Sequence, residues 1–91
     1  LTKKEVTQSN FSPSSLSKYH IIAGCFGVKE NAHKMVRQLK KVGFKNAQLV
    51  GYSKSGLLRV AYGTYELKVN ALKALAKAKL SHNSKAWMAE D

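Results

Sequence analysis

Five acids stand among the 91 residues of this chain, and their positions decide whether it can do acid–base chemistry. Hydrolysis of a glycoside needs a placed carboxyl, usually one of two. Glu5 lies near the start, and Glu90 and Asp91 are the last two residues. That leaves Glu30 and Glu66, each at the start of a segment with helical periodicity, where the helix dipole already accounts for an acid. A Ser–His–Asp relay would have to enlist Asp91. His20, His33 and His82 lack the spacing of metal ligands, and strand alternation turns Cys25 away from His20. One cysteine excludes an internal disulfide and a Cys-based zinc cluster. Cys25 precedes a helix start, a place that lowers thiol pKa, yet an inert small residue in a strand explains it equally simply. Gly24-Cys25-Phe26-Gly27 spells GxxG, but no Gly-Lys-Ser/Thr follows, and RNA-clamping GxxG loops join helices. Glycine at a strand exit is the simpler reading. The residues therefore predict no catalysis, no metal and no cofactor, and leave binding as the chemistry.

Lys and Arg total 16, so the formal charge is +11 and the first expectation is an anionic partner. Hydrophobic residues make up 44%, ordinary for a folded domain and too many for a disordered chain. No apolar run approaches the ~20 residues of a membrane helix, so no insertion is expected within these residues. The chain opens on Leu1 without a leader pattern, which reads as a piece of a longer protein with its targeting or anchoring segment upstream.

The elements that position these residues follow from periodicity. Residues 1–17 are polar, hold the single Pro and show no period, so they read as a flexible linker, with Phe11 its one large apolar residue. Lys18 to Phe26 reads as a strand. Ala32, Met35, Val36 and Leu39 then fall on one helical face, closed by Gly43 as a C-terminal cap. Ala47 to Gly51 and Leu57 to Gly63 read as a hairpin around the turn Ser53 to Gly56. Leu67 to Leu80 is a second helix with Ala71, Ala74, Leu75 and Ala78 as its core face, and Ala86 to Ala89 a last strand. A shift of 39 residues lays the second half on the first: Gly24 on Gly63, Phe26 on Tyr65, Asn31 on Asn70, and the four core positions of one helix on those of the other. Two such halves satisfy each other as an α+β, RNP-like βαββαβ fold, with a four-stranded antiparallel sheet and both helices on one face. The domain spans residues 18–91. Alternation then points Ile21, Ala23, Val60 and Tyr62 toward the helices. It leaves His20, Ile22, Gly24, Leu57, Arg59 and Ala61 on the open face. Phe26, Phe44, Tyr62 and Trp87 read as core or strand-packing residues, and Tyr52 and Tyr65, near loops, as candidates for stacking on a ring.

These segments resemble the SPOR family, the sporulation-related repeat. IIAGCFGVKENA (Ile21 to Ala32) is similar to the family's opening strand and helix start, and LKKVGF (Leu39 to Phe44) to its Leu-x-x-x-Gly-Phe helix end. GLLRVAYGTY (Gly56 to Tyr65) is similar to its Arg-Val-x-x-Gly-x-Phe/Tyr motif, and NALKAL (Asn70 to Leu75) to its second helix. The resemblance covers Lys18 to about Met88. It implies binding of peptidoglycan, in particular glycan strands stripped of stem peptides, in the periplasm or cell envelope and often at the division site. It implies a glycan-binding surface on the open sheet face, here His20, Ile22, Cys25, Leu57, Arg59, Ala61 and Tyr65. Arg59 matches the family's Arg, and Leu57 stands where an apolar or aromatic residue is common. Ile22 and Cys25 replace the Gln and Ser that the family often carries, which removes two groups able to hydrogen-bond sugar.

Two other classes compete. The same element order serves RNA-recognition domains, and the charge suits nucleic acid, but their paired sheet aromatics are replaced here by Leu57, Arg59 and Ala61. No specific nucleic acid is therefore expected. The open face could instead dock a protein, and Leu72, beside the second helix's core face, leaves a weak homodimer open. Most cations fall on or beside the two helices, turned from the sheet, so the charge reads as a solvated helical back.

Overall fold

The computed structural model describes residues 18–91, and the linker reading of residues 1–17, Phe11 included, lies outside the described residues. Six elements follow one another: β1 (Tyr19–Phe26), α1 (Lys29–Lys41), β2 (Gln48–Tyr52), β3 (Leu58–Tyr65), α2 (Lys68–Ser81) and β4 (Trp87–Glu90). The strands form one antiparallel sheet in the order β2-β3-β1-β4. This is the RNP-like βαββαβ arrangement, and the predicted elements match to within two residues at each end.

Both helices pack on one side. Ala32 and Leu39 of α1 and Ala71 and Ala78 of α2 are buried with Ile21, Leu58, Val60 and Tyr62 of the central strands. Neither helix has a side-chain N-cap, so tertiary burial, more than local signals, holds their starts. The end of α1 is built in detail. Gly43 takes φ +107°, the Phe44 N–H reaches the Leu39 carbonyl at 3.0 Å, and the Gly43 N–H reaches Lys40 at 3.3 Å. That double closure needs a residue without Cβ at the left-handed position.

The 39-residue repeat is a physical two-fold. In the β1–β3 ladder Ile22 faces Ala61, and the pairs on either side mirror each other: Ile21 with Gly63 against Gly24 with Val60, His20 with Thr64 against Cys25 with Arg59. Each strand carries a register shift at the same repeat position, one before Gly24 and one before Gly63. Each of those glycines also lies beneath the aromatic ring two residues on. A methyl built at Gly24 would stand 3.3 Å from the Phe26 ring, and one at Gly63 would stand 3.1 Å from Tyr65 Oη. The glycine–aromatic spacing seen in the sequence is therefore a packing unit, used twice.

Candidate functional site

The two register shifts decide what the open face presents. A bulge puts two residues of one strand opposite one of its partner, so the in–out alternation changes phase beyond it. Uniform alternation sends Cys25 toward the helices. In the fold Cys25 packs with Ile22, Ala61, Ala89 and Val50 in a second apolar cluster that contains no helix residue. The matching shift in β3 brings Thr64 to the open side, where it bonds His20. Of the seven residues singled out, His20, Ile22, Cys25, Arg59 and Ala61 thus come together. Leu57 sits in the turn before β3, partly exposed and beside Gly27. Tyr65 is on the other side: it packs against the helix-side core and lines a cleft of about 250 Å³ with Phe44, Tyr62, Ala74 and Lys77.

A polar chain crosses this face. Gln48 Nε2 donates to Thr64 Oγ1 at 3.1 Å, Thr64 Oγ1 lies 2.8 Å from His20 Nδ1, and His20 Nε2 lies 2.7 Å from Asp91 Oδ2. Arg59 donates to the same carboxylate at 3.0 and 3.3 Å and to the Val50 carbonyl at 2.6 Å. A neutral His20 carrying its proton on Nε2 satisfies every bond: Thr64 donates to Nδ1, and Nε2–H donates to Asp91. The Arg59 hydrogen bond is the main reason the Asp91 carboxyl is held below its ordinary pKa; partial burial opposes this, and the His20 bond adds to it.

Thr64–His20–Asp91 has the connectivity of a nucleophile–base–acid relay. Three features weigh against its use as one. Arg59 already neutralises the carboxylate that would have to stabilise an imidazolium, and Gln48 occupies the Thr64 oxygen. His20 is also buried, away from any substrate proton. The network is a brace from β2 across β3 and β1 to the end of β4.

Sequence reasoning missed Trp87. The sequence reads it as a core or strand-packing residue rather than a ligand platform; it lies opposite Ile22 on the open side and is 48% exposed. The sequence signal was the repeat, which lays Trp87 on the polar Gln48; in the fold Met88 packs on the helix-side core, with its neighbour turned outward. Tyr52 is also exposed, as its position near a loop suggested. Tyr52, Arg59, Trp87, Ala89 and Asp91 share the lining of a shallow depression of about 470 Å³. The depression thus brings an exposed Trp87 ring, a guanidinium and a carboxylate beside a small apolar strip, with exposed Tyr52 also in its lining. That combination suits a ligand with flat apolar faces and hydroxyl or carboxylate edges. Among the described residues no group of three or more His, Cys, Asp or Glu could hold a metal ion, and no helix is long and apolar enough to cross a membrane.

No curated protein and no solved structure matches the chain in the corresponding comparisons. The family comparison does give a match: the model of the SPOR domain covers residues 15–89, which takes in every element from β1 through most of β4. With the repeat, the fold and this match in agreement, the chain belongs to the SPOR domain family.

Proposed function

We propose that this domain binds denuded glycan strands of peptidoglycan through the open face of its sheet and does not cut them. The observation that carries the reading is the family match over residues 15–89; SPOR domains are peptidoglycan-binding modules of cell-envelope proteins. The face supports the finer part. Pyranose rings present C–H patches that lie well on Trp87 and Tyr52, while Arg59 supplies donors in a planar fork. Removing a stem peptide uncovers the lactyl carboxylate of the muramic acid residue, and a guanidinium is the side chain best shaped for a carboxylate. Arg59 already grips a carboxylate, that of Asp91, and its buried Nε has no hydrogen-bond partner among the described residues. A ligand carboxylate competes with Asp91 for the terminal nitrogens of Arg59. Selectivity for stripped over intact strands follows from the same exchange, because an amide-linked peptide leaves no lactyl carboxylate for Arg59. The periplasmic location and the role at division belong to this reading as well.

The test is a pull-down on sacculi with and without their stem peptides. Stripped sacculi should retain the domain and intact ones should retain much less. Trp87→Ala should lower retention by about tenfold, as for an exposed aromatic anchor. Equal recovery on both sacculi, or none on either, refutes the glycan reading.

A further inference from the structure

Helix α2 is apolar on two opposite faces. One face, with Ala71, Ala74, Leu75 and Ala78, belongs to the core. The other holds Val69, Leu72, Ala76 and Leu80, spaced three, four and four residues apart, which is a second stripe turned to solvent. Val69 is 57% exposed, Leu72 47% and Leu80 89%. Single exposed aliphatics need no explanation, but a contiguous row does.

The fold itself provides the control. The repeat lays the four stripe positions on Glu30, His33, Arg37 and Lys41 of α1, all charged or ionisable and all exposed. α1 does the same structural task with a polar outer face. Nothing in the architecture, then, asks α2 for apolar residues there. Its stripe is an addition to the fold.

The flanks indicate what the stripe meets. On a helical wheel Lys68 and Lys79 border it on one side, and Lys73 and Lys77 on the other, while α2 contains no Asp or Glu. A second copy docked through this stripe would bring four lysines against four with no acid on α2 to offset them. An occupant must be apolar in the middle and anionic at the rim. The stripe is also a convex ridge on the outside of the helix layer, about 16 Å from Val69 to Leu80. A bilayer surface accepts such a ridge without a complementary pocket.

We propose that α2 seats on an anionic lipid surface. Leu72, Val69 and Leu80 enter the boundary between headgroups and acyl chains, and the flanking lysines extend to the phosphates. The helix layer lies opposite the open sheet face, so the domain can rest on a membrane and hold a glycan strand at once.

Flotation with vesicles tests this. The probe is vesicles of phosphatidylethanolamine and phosphatidylglycerol, against vesicles of phosphatidylcholine alone. Partition should favour the anionic vesicles at least about tenfold and fall as salt rises, each lysine at the surface contributing about fivefold. The double variant Leu72→Ser, Leu80→Ser should lose about tenfold in partition. Its circular dichroism and its retention on stripped sacculi should stay at wild-type levels, which separates this proposal from the glycan reading. Equal binding to both vesicle types overturns it, as does no binding, or binding that the double variant leaves intact. A concentration-dependent dimer that the double variant abolishes, without vesicle binding, assigns the stripe to self-association and also overturns it.

Discussion

Replacing Gly63 with alanine tests whether the glycine–aromatic unit shapes this sheet. Gly63 is buried in β3, and its backbone is outside the left-handed region. Conformation alone would therefore welcome alanine, which at a compatible site gains ~0.4–1 kcal/mol by restricting the unfolded chain. Space decides otherwise. The new methyl would lie 3.1 Å from Tyr65 Oη and 3.3 and 3.4 Å from two of its ring carbons. Because ring carbons as well as the hydroxyl are close, the whole ring must shift by a few tenths of an ångström, and the ring is packed on the core. Overpacking of that kind costs ~1–3 kcal/mol. The net expectation is a loss of ~0.5–2 kcal/mol for Gly63→Ala. Gly24→Ala, which meets the Phe26 ring at 3.3 and 3.4 Å, should lose somewhat less. Gly27→Ala is the control: its nearest neighbour is Leu57 Cδ2 at 3.7 Å, an ordinary contact, so it should be neutral or slightly stabilising.

Equilibrium urea unfolding reads the three variants. For a domain of this size the slope is ~1 kcal/mol per molar, so the Gly63→Ala midpoint should fall by ~0.5–2 M. Tyr65→Ala removes the ring, and in that background Gly63→Ala should no longer cost stability; the two substitutions should couple by about 1 kcal/mol. The reasoning fails if Gly63→Ala is as stable as Gly27→Ala, or if its cost survives the loss of the Tyr65 ring.

Two pH responses follow from the named contacts. The Asp91 carboxyl is depressed below its ordinary value near 3.8, chiefly by Arg59, so its contribution is present above that value and is lost as pH falls through the folded one. Asp91 is half exposed, which keeps the contribution under about 1 kcal/mol; the stability gap between wild type and Asp91→Asn, followed by urea unfolding, should close on acidification. Burial raises the Tyr62 hydroxyl above 10.0, so folding favours the neutral phenol and stability falls as pH rises past the unfolded value. Tyr62→Phe should flatten that alkaline loss and, by removing the 2.7 Å bond to His82 Nδ1, cost ~0.5–1.5 kcal/mol at neutral pH.

How far the sequence could be read depended on which residues repeat and which diverge. The core repeats, so it was legible: Ala32 with Ala71 and Leu39 with Ala78 fixed both helix faces, and from those the sheet and its open side followed. Phase along the strands was not. Periodicity assumes one residue per step, and the bulges before Gly24 and Gly63 break it, so alternation turned Cys25 from the open face, where the resemblance placed it, and Thr64 was not seen at all. The open-face brace was illegible for another reason, since it joins His20 to Asp91 across 71 positions and no local pattern connects them. The +11 charge pointed first to a polyanion for the whole domain; among the described residues most cations lie on or beside the two helices, while Lys54 and Arg59 line the open-face depression. Divergence between the halves then carries what symmetry cannot. Where α1 has Glu30, His33, Arg37 and Lys41, α2 has Val69, Leu72, Ala76 and Leu80. Where β2 has Gln48, β4 has Trp87. A two-fold fold needs neither difference to stand, so selection on the fold alone gives no reason for them. Both lie on the surface, one on each side of the sheet, and those are the two places where a partner could have asked for them.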